Sequence, residues 1–138
     1  MEKSIADIMS CEVITLSSTA SMYELHQLMK EHNIRHVPIV DDNKFAGVVT
    51  QKSVLAKVMY LLDLHGASNL SKEEKSINVM NLVDKNVVFA NASMPLKDAA
   101  QFFVTNRHGC LPVVNNDNQL QGIVTSSDFV RLALKLLQ

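Results

Sequence analysis

A chain of 138 residues, 47% hydrophobic and 20% charged, has the length for one compact domain that buries about two-thirds of its unfolded surface. Its net charge of −1 gives no electrostatic reason to expect nucleic acid or an anionic membrane as partner. No apolar run approaches the ~18 residues of a membrane span, and the opening Met1-Glu2-Lys3-Ser4 lacks the apolar core of a secretion signal.

Residues 3–9 read as a lead-in, followed by a short strand over Glu12–Leu16. A helix is expected to start around Thr19–Ser21, because Ser21-x-x-Glu24 matches a capping box. Leu25, Leu28 and Met29 then share one helical face, opposite Glu24, Gln27 and Lys30. Val37–Val40 and Phe45–Thr50 are two strands joined by the polar turn Asp41-Asp42-Asn43-Lys44. So short a connection predicts an antiparallel pair. Val54–Leu64 is a helix that is apolar nearly all round. His65-Gly66-Ala67-Ser68-Asn69 marks a break, and Ser71-Lys72-Glu73-Glu74 is expected to begin another helix. The plan then repeats as a strand over Val87–Ala90, a helix starting near Pro95, strands Leu111–Val114 and Leu120–Thr125, and a closing helix Phe129–Leu137.

The repetition extends to the residues themselves. His36-Val37-Pro38-Ile39-Val40 returns as Cys110-Leu111-Pro112-Val113-Val114, and Gly47-Val48-Val49-Thr50 returns as Gly122-Ile123-Val124-Thr125. In the lead-ins, Ile5, Ile8 and Met9 align with Val79, Leu82 and Val83. The expected fold class is therefore α/β, α+β-like in its connections: two pseudo-twofold-related β-α-β-β-α repeats packed through their sheets. Residues 1–64 form the first repeat, 65–75 a linker and 76–138 the second, all in one compact module. The apolar excess on 54–64 and 129–137 predicts that these helices also cover a second copy of the chain in a homodimer.

The segment Gly122-Ile123-Val124-Thr125-Ser126-Ser127-Asp128 carries the sharpest chemical signal. It ends a strand and begins a helix, where free backbone N–H groups and the helix dipole favour an anion. Asp128 adds a carboxylate that can accept both hydroxyls of a ribose. Thr-x-x-Asp is equally a capping-box variant that needs no ligand. The first half has Thr50-Gln51-Lys52-Ser53 there, so a hydroxyl replaces the acid and the two junctions are unequal. His32 and His36 are four apart, but His36 begins a strand, so they do not share a helical face and no metal site is expected. His26 and His65 read as surface residues. Cys11 and Cys110 lack metal-ligand spacing, and their sparse usage fits a reducing cytoplasm; the sequence leaves open whether they pair. No catalytic triad motif, glycine-rich phosphate loop or paired-acid arrangement marks an enzyme.

The two halves resemble cystathionine-β-synthase-type (CBS) repeats, whose pair is called a Bateman module. The likeness rests on the Ile8-Met9-Ser10 lead-in, the Val-Pro-Ile-Val and Leu-Pro-Val-Val strands, and the glycine-to-threonine strand ends, in this order and duplicated. It implies a module that binds an adenine nucleotide or adenosyl compound (AMP, ADP, ATP or S-adenosylmethionine), regulates another protein and forms flat, four-repeat dimers. It implies no required cofactor. Carried over, Thr125 and Asp128 match positions that contact phosphate and ribose, with Ser127 between them. Ser10 matches a position near the ligand, Val13 and Arg35-His36-Val37 match positions flanking the adenine or approaching the phosphate, and Ile123 would pack on the base. The second cleft offers Thr50 and Ser53, with Asp84 where the first repeat has Ser10. Gly109-Cys110 replaces Arg35-His36 there, and Arg107 or His108 stands nearby. The expectation is one competent nucleotide site per chain, on the Asp128 side. The alternative is a dimeric interaction scaffold with vestigial clefts.

Overall fold

Antiparallel hairpins form in both halves where apolar runs flank a polar turn, as the sequence predicts. The computed structural model describes residues 2–84, 86–106 and 109–138. They fall into two compact units that do not follow chain order. Ile14–Val87 makes a central unit, while the stretch ending at Val13 joins Val88–Gln138 in a terminal unit.

In the central unit β1 (Leu16–Ser17) runs parallel to β2 (His36–Asp41), which is antiparallel to β3 (Lys44–Thr50). Between β1 and β2 lies α1 (Met22–His32), begun by the Ser21 hydroxyl accepting the Glu24 N–H at 3.2 Å. Asn33, in the left-handed conformation with φ 52°, ends it. Met22, Leu25 and Met29 form its buried face, in one core with Val37, Ile39 and Val49. The hairpin turn seats Asp42 and Asn43 at positive φ, which these short polar side chains tolerate. After β3 come α2 (Gln51–His65), a 3-10 turn at Ala67–Asn69, α3 (Leu70–Ser76) and a second 3-10 turn at Val79–Leu82. Two expectations change here. The first strand is only Leu16–Ser17, because the chain passes from one unit to the other at Val13–Ile14. Ser71 lies inside α3 rather than at its start, since the Ala67–Asn69 turn runs into the helix at Leu70.

The terminal unit holds α4 (Leu96–Thr105), with Pro95 at its N-cap, then β4 (Cys110–Val114) antiparallel to β5 (Leu120–Thr125), and α5 (Ser126–Leu136). Val87–Ala90 is not a strand. Only Ala90 meets Val113, in one parallel bridge, because Asn91 turns the chain at once by accepting the Ser93 N–H at 3.0 Å. Leu111, Val113, Val124, Ala99 and Phe103 form this unit's core together with Ile5 from the lead-in.

Ile5 exposes the organising feature: each lead-in serves the hairpin of the other repeat. Ser10 exchanges both backbone hydrogen bonds with Ile123, each at 3.0 Å, and Asp84 donates its N–H to the Val48 carbonyl at 3.1 Å. The repeated glycines make room for this approach. A Cβ at Gly122 would lie 2.8 Å from the Ser10 carbonyl oxygen, and one at Gly47 would lie 2.3 Å from Val83 Cγ1. Gly47 also holds φ +138°, which side-chain-bearing residues rarely adopt.

Gly122→Ala should lower the unfolding free energy by about 2 kcal/mol and Gly47→Ala by about 3, clash and backbone strain combining in the second. Urea unfolding midpoints measure this; wild-type values for both variants would remove close approach as the reason for these glycines.

Candidate functional site

Two strand-to-helix junctions, β5–α5 and β3–α2, carry the polar residues that the sequence singles out. At the first, Thr125 and Asp128 close a reciprocal capping box, with the Thr125 N–H donating to Asp128 Oδ2 at 2.8 Å. The other carboxylate oxygen, Oδ1, accepts from Arg131 Nη2 at 2.6 Å. Asp128 is thus a buried carboxylate turned onto its own helix start, while its guanidinium partner is largely exposed. Each oxygen keeps a second lone-pair direction, since a carboxylate can accept about four hydrogen bonds. The Ser10–Ile123 pairing sets both side chains on the face that also carries Thr125, two residues along β5. Ser10 and Ser127 are exposed, and Ile123, Thr125 and Val13 are half-buried.

At the second junction Thr50 Oγ1 accepts the Ser53 N–H at 3.2 Å, and the two hydroxyls lie 3.1 Å apart. The first turn of α2 contains no acid. His36 pairs with Thr50 across the hairpin, and the Arg35 carbonyl accepts the Gln51 N–H at 2.8 Å. The structure therefore gathers the candidates into two sets. Ser10, Val13, Ile123, Thr125, Ser127 and Asp128 belong to the terminal unit; Arg35, His36, Val37, Thr50 and Ser53 belong to the central unit. The Val37 side chain is enclosed in the core, leaving only its backbone for any ligand. His108, with Arg107, lies outside the described residues.

Other titratable groups fall away from these junctions. Arg131 escaped notice in the sequence, although Asp128-x-x-Arg131 is a spacing that pairs charges on a helix. His26 is not a free surface residue: its Nδ1 stands 2.9 Å from Oε1 of the buried Glu74. His65 Nδ1 lies 3.8 Å from Glu73 Oε1, so α3 meets a histidine from each of α1 and α2. Cys11 and Cys110 are unpaired. Burial pushes the Cys110 thiol up to about 12, so it stays protonated and unreactive at neutral pH. Among the described residues no group of three or more His, Cys, Asp or Glu could hold a metal ion, and no helix is long and apolar enough to cross a membrane.

A duplicated strand-helix plan with paired junctions defines a class, and comparison with known proteins gives the same one. The CBS domain family matches residues 5–60 and 79–135, and the chain belongs to that family, with two repeats of mixed α/β structure. Three solved structures are similar along nearly the whole chain. CBSX2 of Arabidopsis thaliana in complex with AMP is 26% identical with TM-score 0.82, covering 99% of this chain and 100% of that one. AcuB from Vibrio cholerae, provisionally assigned to acetoin utilization, is 33% identical with TM-score 0.80, covering 99% and 93%. The CBS domain pair of protein MJ0100, in complex with 5′-methylthioadenosine and S-adenosyl-L-methionine, is 28% identical with TM-score 0.72, covering 94% of each. The chain spans about a quarter of the first curated relatives it matches. Homoserine O-acetyltransferase of Methanohalobium evestigatum, 30% identical over 129 residues, is aligned over 93% of this chain and 24% of its own length.

Without ligand, Asp128→Ala should cost about 1–2 kcal/mol, the worth of a helix cap, and Arg131→Ala only a few tenths, as for an exposed ion pair. Equal losses in urea unfolding would mean that the ion pair, not the cap, holds the carboxylate.

Proposed function

We propose that this chain is a regulatory ligand-binding module that holds an adenine nucleotide or adenosyl compound and passes its occupancy to a partner protein. The observation that carries this is the pair of solved relatives with AMP and with adenosyl ligands, similar to this chain over 94% of its length or more. The primary site is the β5–α5 junction. Ser10, Ile123 and Thr125 share its face, Asp128 accepts the sugar hydroxyls through its remaining lone pairs, and Arg131 swings aside into solvent. Ser127 and Val13 flank this site, while Arg35, His36 and Val37, the other positions implied by the family resemblance, belong to the central unit. Adenine is recognised through backbone hydrogen bonds and the apolar Ile123, so no aromatic stacker is needed.

Regulation needs a ligand that favours one arrangement of the protein over another, since only differential affinity shifts an equilibrium. A homodimer supplies such an arrangement. Leu55, Met59 and Leu64 on α2, with Val130, Leu134 and Leu136 on α5, are half or more exposed, more apolar surface than scattered residues account for. The sparse cysteine usage, two in 138 residues without metal-ligand spacing, fits a reducing compartment, the cytoplasm. No metal or cofactor is required, and the chain itself is not an enzyme in this reading.

A second reading is a dimeric scaffold with vestigial clefts. It draws on Asp128, whose two oxygens already serve the Thr125 N–H and Arg131, so that the capping box accounts for Thr-x-x-Asp by itself.

A thermal-shift and calorimetry panel of AMP, ADP, ATP and S-adenosylmethionine separates the two. A specific ligand at 100 times its Kd stabilises by about 2.7 kcal/mol. AMP should bind once per chain, and Asp128→Ala should weaken it far more than Ser53→Ala; no response to any compound leaves the scaffold. Sedimentation should give a dimer at micromolar concentration, and Met59→Glu with Leu134→Glu should give a monomer. A monomeric wild type removes the dimer.

A further inference from the structure

Asp128 is held twice, and the two holds differ in kind. Its Oδ2 accepts the Thr125 N–H at 2.8 Å, a backbone cap fixed by the helix start. Its Oδ1 accepts from Arg131 Nη2 at 2.6 Å, a close contact between full charges. Helical side chains lean toward the N-terminus, so Arg131 lies back over the turn that presents Asp128. The carboxylate is 9% exposed and the guanidinium side chain 69%, so Arg131 is the partner that can leave. The other repeat shows what this cation serves. Where Ser53 aligns with Asp128, Ala56 aligns with Arg131, so the guanidinium is present only where there is an acid. A nearly buried carboxylate needs a countercharge and hydrogen bonds, and a serine needs no countercharge.

We infer that Arg131 is a specificity-determining residue of the β5–α5 site: an internal competitor for Asp128 that a sugar with both vicinal hydroxyls displaces and a deoxy sugar does not. The inference rests on the adenosyl-binding reading above and adds how that site selects its sugar. Two hydroxyls offer one hydrogen bond to each carboxylate oxygen, replacing the guanidinium at Oδ1 while the cap at Oδ2 stays. A single hydroxyl is taken at Oδ2 and leaves Oδ1 to Arg131, so a deoxy sugar gains nothing when the cation is removed. The interaction at stake is an exposed ion pair, which is modest in strength and weakens in salt.

The test is calorimetry on the whole chain with AMP, 2′-deoxy-AMP and adenosine, comparing wild type with Arg131→Ala and Arg131→Gln. Both variants should bind AMP and adenosine about three- to fivefold more tightly, with 2′-deoxy-AMP within about twofold of wild type. Adenosine carries no charge of its own. Its affinity for wild type should therefore rise about twofold as salt goes from ~0.05 to ~0.5 M, and stay level in the variants. AMP that weakens in both variants while adenosine is unchanged makes Arg131 a phosphate contact and overturns the inference. Equal tightening of AMP and its deoxy analogue overturns it as well. Wild-type affinities in both variants overturn the role of Arg131 while the adenosyl-binding reading stands. Failure of wild type to bind any of the three overturns both.

Discussion

Backbone pairing between each lead-in and the hairpin of the opposite repeat governs much of the sequence around it. Ser10 with Ile123, and Asp84 with Val48, satisfy strand-edge groups that would otherwise be costly to bury unpaired. That pairing needs the two backbones in near contact, which is why glycine recurs at 47 and 122. It also needs an anchor one turn earlier, and Ile5 and Val79 are both fully buried. The capping box of Ser4 and Asp7 at the first lead-in, and Asn78 accepting the Met80 N–H at the second, fix where those turns begin. A few backbone bonds therefore account for two glycines, two buried aliphatic residues and two caps.

What could be read from the sequence were features decided locally. Hairpin strands announce themselves by apolar runs and by Asp42, Asn43 and Asn118, residues that accept the positive φ of a turn. Ser21 and Thr50 identify helix starts by a hydroxyl three residues before the amide it accepts. The first strand of each repeat was not legible in its extent: the first is cut to Leu16–Ser17 where the chain leaves one unit for the other, and the second is reduced to the Ala90 bridge by the turn at Asn91. The burial of Glu74 was hidden for a related reason. A helix of seven residues shows too little periodicity to say which side faces inward, and the partner, His26, is 48 positions away.

At the candidate site the legible and the hidden divide differently. Thr125 and Asp128 stand out in the sequence as a motif with two meanings, ligand contact or cap, and the geometry shows the cap fully formed. Ser10 and Ile123, far apart in sequence, meet as backbone partners, which the family resemblance implied and composition did not. The same resemblance implies Arg35 and His36 for the Thr125 side; within the central unit the hairpin register pairs His36 with Thr50. Equivalent backbones thus carry unequal side chains at the two junctions. Shared fold brings equivalent positions to both junctions, and the chemistry at each depends on whether the helix start carries an acid, as at Asp128, or a hydroxyl, as at Ser53.

The crossed lead-ins also impose an order on birth. During synthesis Ile14–Val87 emerges as an unbroken stretch and can close on itself, since its core residues all lie within it. Ile5 is made before that stretch yet waits for Leu111, Val113 and Val124, which leave the ribosome after it. Through that interval an aliphatic hook and a short run of unpaired amides trail in the open. Another nascent copy that has finished its own β4 and β5 presents the identical dock, so the contacts that tie one molecule together are the ones by which two could become interlinked.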